Sequence, residues 1–333
     1  MSTTEWTVPD LLQLSGSYWS TCALHAAVKL DVFSLLAGSS RTAADVARLR
    51  NCDTRATAML LDALTALGFL EKHDNSYAAT TFAAEHLSKT SPGYMGYIIM
   101  HHHHLMAGWS RLHEGVTSGG AIRERVAHGN DETVRESFLM GMFNLATLLA
   151  PRIAQTIDLS GCRRLLDLGG GPGTYAIYFC RDNPELAAVV YDLPTTQSFA
   201  EGTIARFDLS ERITFTAGDY QADHIPGGFD AAWLSHILHA EGPEACAALL
   251  RKAVAALNPG GVLMVQEFIL NDAKDGPSFP ALFSLNMLLG TDSGQSYSQA
   301  ELAAMMAEAG LAGVVRLALE LPNGAGVMTG HKL

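Results

Sequence analysis

The stretch Leu165-Leu166-Asp167-Leu168-Gly169-Gly170-Gly171-Pro172-Gly173 limits what this chain can fold into more than any other. A short apolar run ends in an acid and opens into a glycine-rich turn, and Thr174 to Cys180 reads as the start of a helix. Strand, glycine turn and helix together bring backbone close to a nucleotide-like ligand in a doubly wound α/β domain. Glycine is required there because a Cβ would block the approach and restrict φ. The spacing is not the dinucleotide fingerprint, since Pro172 interrupts G-x-G-x-x-G. About 23 residues past Gly169, a second apolar run, Ala187 to Tyr191, ends in Asp192-Leu193-Pro194. An acid at that tip is placed to accept from the ribose hydroxyls of a ligand over the first turn.

Three further runs follow the same rule. Ile213 to Ala217 ends in Gly218-Asp219-Tyr220, where a carboxylate can accept from an adenine amino group with Tyr220 against the ring. Phe229 to Leu234 leads into Ser235-His236-Ile237-Leu238-His239. A helix over Glu244 to Leu257 then stops at Asn258-Pro259-Gly260-Gly261, and the run Val262 to Gln266 ends in Glu267. Polar residues at five strand tips define one ligand crevice. Val314 to Leu319 and Gly326 to Gly330 read as a closing antiparallel pair.

The first part of the chain differs. Residues 10 to 88 are helix-rich, with Leu11, Leu14, Tyr18, Ala23, Ala26 and Leu30 near helical spacing. Helix starts at Thr42 and Asp53, a core from Leu60, Leu61, Leu64 and Leu67, and a hairpin of Phe69–Lys72 with Ser76–Thr80 make a winged-helix pattern. Such modules often bind DNA. Here 22 basic residues face 34 acidic ones, a net charge of −12, and the second helix carries Asp53, Arg55, Asp62 and many alanines. That balance argues against phosphate contacts, and no nucleic acid partner is expected. Five cysteines without a C-x-x-C spacing read as free thiols in a reducing compartment. The start MSTTEWTVPD lacks a signal-peptide pattern, and no uninterrupted apolar run approaches ~18 residues, so a cytoplasmic chain with no membrane span is expected.

The motifs LLDLGGGPG, VVYDLP, AGDY, LSHILHAEGPEAC, LNPGGVLMVQE and GVMTGHK extend over most of the chain. Taken jointly they resemble the class I S-adenosylmethionine-dependent O-methyltransferases, in particular those related to plant caffeate and flavonoid enzymes and bacterial polyketide-tailoring enzymes. The resemblance implies a Rossmann-like domain with a seven-stranded, mostly parallel sheet and an antiparallel last strand. It places that domain at 161–333, linking helices that line an acceptor pocket at 101–160, and a winged-helix dimerisation domain at 1–100. S-adenosyl-L-methionine, leaving as S-adenosyl-L-homocysteine, would be held by Asp167, Gly169, Gly171, Asp192, Leu193, Gly218, Asp219, Tyr220 and Ser235. The implied assembly is a homodimer acting on a small molecule.

A hydroxyl is a poor nucleophile at neutral pH, and a histidine can take its proton as the oxygen attacks. His239, just past the fourth strand, is the candidate base and occupies the family's catalytic histidine position. Glu267 ends the neighbouring strand and can orient it. His236 is the rival, expected to serve packing. The chain departs from the family at Ala240 and Ser296, where acids are usual. In His101 to His104 only His101 and His104 share a helix face, and neighbouring rings do not converge on a metal, so no metal is expected. The resemblance puts His101, His104, Phe138, Met142, Phe143, Met287 and Thr291 around the acceptor. By pattern alone the histidines suit a solvated face, and the apolar members suit a core.

Three functions fit these residues. The first is methyl transfer to a hydroxyl of a small aromatic acceptor with His239 as base. The second is transfer to nitrogen, sulfur or carbon, or a non-methylating reaction, driven by proximity. The third is a ligand-sensing winged-helix regulator, which the acidic balance disfavours.

Overall fold

A computed structural model of the chain describes residues 5–125, 129 and 131–333, so Met1–Thr4 of the N-terminal segment lie outside it. The chain divides into two compact units, Met1–Leu105 and Met106–Leu333.

In the first unit, Thr42 accepts from the Asp45 amide and Asp45 reaches back, so a capping box starts the helix Ala43–Arg50. Asp53 caps the next helix, Thr54–Ala66, through the Ala56 amide. The strands β1 (Arg41–Thr42), β2 (Leu70–His73) and β3 (Ser76–Ala79) form a sheet in the order β1-β3-β2. β2 and β3 pair antiparallel around Asp74, whose φ of 53° suits a tight turn. Two capped helices followed by a hairpin complete the winged helix. Leu61 and Leu64 are fully buried with Phe33, Leu36 and Tyr77. Leu67, expected in that core, is instead exposed, because it is the C-terminal cap of its helix. The helix Val8–Gly16 buries none of its residues, and Leu11, Leu12 and Leu14 stand more than half exposed.

The second unit is built on seven strands: β4 (Arg164–Leu168), β5 (Ala187–Asp192), β6 (Ile213–Ala217), β7 (Phe229–Ser235), β8 (Leu257–Phe268), β9 (Leu311–Arg316) and β10 (Ala325–Lys332). Their order is β6-β5-β4-β7-β8-β10-β9. β4 to β8 run parallel, and β10 is antiparallel to both neighbours. The order reverses at β4, which opens a crevice at the C-terminal tips of β4 and β7. Side chains alternate across the sheet. Leu166, Leu234 and Val265 face one apolar layer, and Leu165, Trp233 and Val190 face the other. Trp233 is fully buried between Tyr175 and Phe179, at ring distances of 4.9 and 5.2 Å.

Several boundaries differ from the sequence reading. The helix ends at Ala256, and β8 already includes Leu257, because Leu257 pairs with Phe229 across a bulge. β9 starts at Leu311 rather than Val314, since Leu311 and Ala312 pair with Lys332 and His331. Among the described residues one helix, Glu132–Thr156, is long and apolar enough by composition to cross a membrane. It contributes Ala150, Ile153 and Ala154 to the core under the sheet.

Candidate active site

The turn after β4 is shaped by three glycines at positive φ: Gly169 at 66°, Gly171 at 54° and Gly173 at 76°. A Cβ on Gly170 would lie 2.6 Å from the Asp167 carboxyl carbon, and one on Gly169 would lie 2.7 Å from Ile237. No described residue lies within 4 Å of the place a Gly171 Cβ would take. Its amide donates to Asp192 Oδ2 at 2.8 Å, while Asp192 Oδ1 accepts from the Leu193 amide at 2.6 Å and from Thr196 at 3.2 Å. The first two strand tips are thereby tied together, with the Asp192 carboxylate between them. Burial pushes the Asp192 carboxyl up, and these hydrogen bonds counter it.

Asp167 is fully buried. Its Oδ2 accepts from the Ala176 amide at 3.2 Å, while its Oδ1 has no hydrogen-bond partner among the described residues. Burial first, and the nearby Asp192 charge besides, push it up to about 7. A buried carboxylate with an orphaned oxygen beside a glycine cradle suits a ligand that brings its own donor. On the β6 tip, Asp219 Oδ1 accepts from the Gln221 amide at 2.8 Å. Tyr220 approaches Gly169, its hydroxyl accepting from Arg125 at 3.3 Å and its carbonyl from Lys252 at 2.9 Å. Gly218 donates to the Asp192 carbonyl at 2.9 Å. Ser235 donates to Gln266 at 3.1 Å. Asp167, Gly169, Gly171, Asp192, Leu193, Gly218, Asp219, Tyr220 and Ser235 thus gather at the tips of β4 to β7.

Next to them, β7 runs into a short 3-10 turn, Leu238–Ala240, that carries His239. Glu267, near the end of β8, accepts at Oε1 from the Leu238 and His239 amides at 2.9 and 3.3 Å. Its Oε2 meets His239 Nδ1 at 2.7 Å. The carboxylate meets both the turn and the ring, and a proton on Nδ1 facing it would leave Nε2 with its lone pair. Burial alone would raise the Glu267 carboxyl; His239 and His236 pull it well below the usual carboxylate range. One donor atom each from His236, His239 and Glu267 lies within 4.8 Å of the others. The 2.7 Å contact is nonetheless that of a hydrogen bond, whereas ligands of one tetrahedral ion sit about 3.3 Å apart.

The helix Ser278–Gly290 places Phe283 edge-on to the His239 ring at 4.7 Å, with Phe268 and Phe279 beside it. The sequence reading missed these three rings, although Phe279, Phe283 and Met287 recur at four-residue helical spacing. It also missed Arg125, whose guanidinium pairs with Glu241 at 2.8 Å. That acid lies one position past Ala240. Met287 is buried on the same helix, and the Thr291 hydroxyl donates to the Met287 carbonyl at 2.8 Å. Gly294, which donates to that hydroxyl, lies against the His239 carbonyl. Ser296 is buried and spends its hydroxyl on the Pro280 carbonyl at 2.9 Å. Phe138 and Met142 are half-buried on Glu132–Thr156. Phe143 is buried on the same helix and faces Phe207 at 6.4 Å with Arg206 over its ring at 5.5 Å. His101 is buried and His104 half-buried in the first unit. His236, expected only to pack, stands 3.5 Å from Glu267.

Comparison with known proteins agrees along the whole chain. The model of an O-methyltransferase domain matches residues 114–312, and that of an O-methyltransferase dimerisation domain matches residues 12–90. The chain is 36% identical to the 3-hydroxy-5-methyl-1-naphthoate 3-O-methyltransferase of Streptomyces sahachiroi, over 97% of this chain and 95% of that one. It is 32% identical to the N,N-dimethyltransferase OxyT of Streptomyces rimosus, over 90% of each. Among solved structures it is similar to PigF with SAH, an S-adenosyl-L-methionine-dependent methyl transferase of Serratia sp.. The TM-score is 0.89 at 28% identity, covering 98% of this chain and 100% of that one.

Proposed function

Since the chain belongs to the O-methyltransferase family, we propose that it methylates a hydroxyl of a small aromatic natural-product acceptor with His239 as general base. It is an S-adenosylmethionine-dependent enzyme. The cofactor supplies an electrophilic methyl group on a sulfonium centre, and S-adenosylhomocysteine is the product. The strand-tip residues fit such a group. The orphaned Asp167 Oδ1 and the glycine turn would receive it, Asp192 and Leu193 would hold the ribose side, and Gly218, Asp219 and Tyr220 the adenine side, with Ser235 below.

The buried 2.7 Å pair between His239 Nδ1 and Glu267 Oε2 carries the assignment of the base. Glu267 holds the ring with Nε2 free to accept a proton, and its charge stabilises the imidazolium that results. Phe283 lies against the His239 ring and Phe268 and Phe279 pack on Phe283, an apolar cluster suited to a flat acceptor. Within the second unit, Phe138, Met142, Phe143 and Thr291 remain proposed acceptor contacts. Apart from proton removal, catalysis is positioning of oxygen, methyl and sulfur in line.

The probe is 3-hydroxy-5-methyl-1-naphthoate, after the similar Streptomyces sahachiroi enzyme. His239→Gln should lower turnover about 10²–10⁴-fold while leaving cofactor affinity, by calorimetry, nearly intact. Wild-type turnover in that variant would overturn the base. A second reading, transfer to another atom by proximity alone, draws on Ala240, on the committed Ser296 hydroxyl and on the similarity to OxyT. An amine probe turned over equally by wild type and His239→Gln would favour it.

A further inference from the structure

His236 has no part in the mechanism just given, yet it is built into the site at a cost. Its backbone adopts φ 56°, in the left-handed region that disfavours any residue with a Cβ. Its amide donates to the Gln266 carbonyl at 2.9 Å, and its ring lies 4.3 Å from that of Phe268. This pose turns Nδ1 inward, where it is buried with no hydrogen bond to a described residue, 3.5 Å from Glu267 Oε2. The same oxygen takes His239 Nδ1 at 2.7 Å.

We propose that His236 is a second positioning residue for the methyl transfer, sharing Glu267 with His239 so that a proton on His236 weakens the base. The proposal rests on His239 being that base. A proton on Nδ1 lets the ring donate toward the carboxylate in either charge state, and a charged ring also draws on the Glu267 charge that would stabilise a His239 imidazolium. At 3.5 Å the contact is longer than a good hydrogen bond, so it closes when His236 is charged. Glu267 then divides its charge between two rings whose centroids are 5.8 Å apart, and the His239 imidazolium loses part of its stabilisation. Glu267 from β8 and His239 from the 3-10 turn are titratable groups that face His236. Phe268 covers another side of its ring.

The test follows the imidazole nitrogens of the full-length, isotope-labelled chain by NMR from about pH 5 to 9, with no acceptor needed. The His239 nitrogens should move in two steps, one coinciding with the titration of His236. In His236→Gln they should move in one step, at higher pH. A single His239 step at the same pH in both proteins would overturn the proposal. Should His236→Gln fail to fold, wild-type spectra decide alone, since a one-step His239 titration overturns it. With the naphthoate probe, the acid limb of log kcat should be broader in wild type, because a charged His236 lowers the proton affinity of His239, and should sharpen to a slope of about one at higher pH in His236→Gln. Equal slopes and midpoints would count against the proposal. If His239→Gln keeps full turnover, the base assignment falls while the coupling between the rings is still read directly by NMR, so the two failures are distinguishable.

Discussion

The Glu267 carboxylate accepts three hydrogen bonds while almost wholly buried, two from backbone and one from a ring. Removing its charge leaves those donors in place, so Glu267→Gln should cost less turnover than His239→Gln while shifting the acid limb of the rate profile. Equal losses would mean that the pair acts as one unit. Asp167 gives a stability prediction with a definite sign. Its folded value, about 7, lies above the ordinary 3.8, so between those values the folded chain holds a proton that the unfolded chain has released. Stability therefore falls as pH rises from about 4 to 7 and levels off above. Asp167→Asn removes that dependence. Without cofactor, its melting temperature should gain on wild type steadily from pH 5 to 7; a constant difference would contradict the burial argument.

The glycine turn and the β6 loop act as elements. In the turn, Gly170 has no room for a Cβ beside Asp167, whereas a Cβ on Gly171 meets no described residue but its φ is 54°. Gly171→Ala should cost about 1–2 kcal/mol of backbone strain. Gly170→Ala must also displace a buried carboxyl, so it should weaken cofactor binding and stability more. Calorimetry and thermal melts of the pair check the order. In the loop, Lys252 donates to the Tyr220, Gln221 and Asp223 carbonyls, clamping the segment proposed to face adenine. Lys252→Met keeps the side-chain length and removes the clamp, and cofactor affinity should fall about tenfold, the value of one or two hydrogen bonds. Unchanged affinity would show that the loop holds its shape without it.

Across the molecule, the N-terminal helix Val8–Gly16 is the least self-sufficient part. Val8, Leu11, Leu12 and Leu14 are between 57% and 70% exposed, and Trp19 beyond the helix is 70% exposed. A row of large apolar side chains open to water favours association. The region matched by the dimerisation domain, 12–90, includes most of it. The proposed assembly is a two-fold homodimer that covers this row. Light scattering should give twice 35.6 kDa, and Leu12→Asp with Trp19→Asp should return it to 35.6 kDa. A monomeric wild type at working concentrations would refute the dimer.

Local signals carried the frame. Apolar runs ending in polar tips marked β4 to β8, and the glycines of 169–173 marked the turn, because strand period and positive φ are written in adjacent residues. Capping residues at Thr42 and Asp53 did the same for the wing. His239 and Glu267 were legible as a pair because neighbouring parallel strands end on the same side of a sheet. Contacts made across the fold decided the rest. Phe143 carries the same apolar signal as Met287, yet one faces Phe207 and the other lies on the helix whose Phe283 meets the His239 ring. Leu257 joined a strand because Phe229 paired with it. Arg125 reached Glu241 across 116 positions of sequence. His236 turned toward Glu267 through a single left-handed residue. Such choices depend on which groups lie opposite once the chain has closed, and periodicity along the chain holds no record of them.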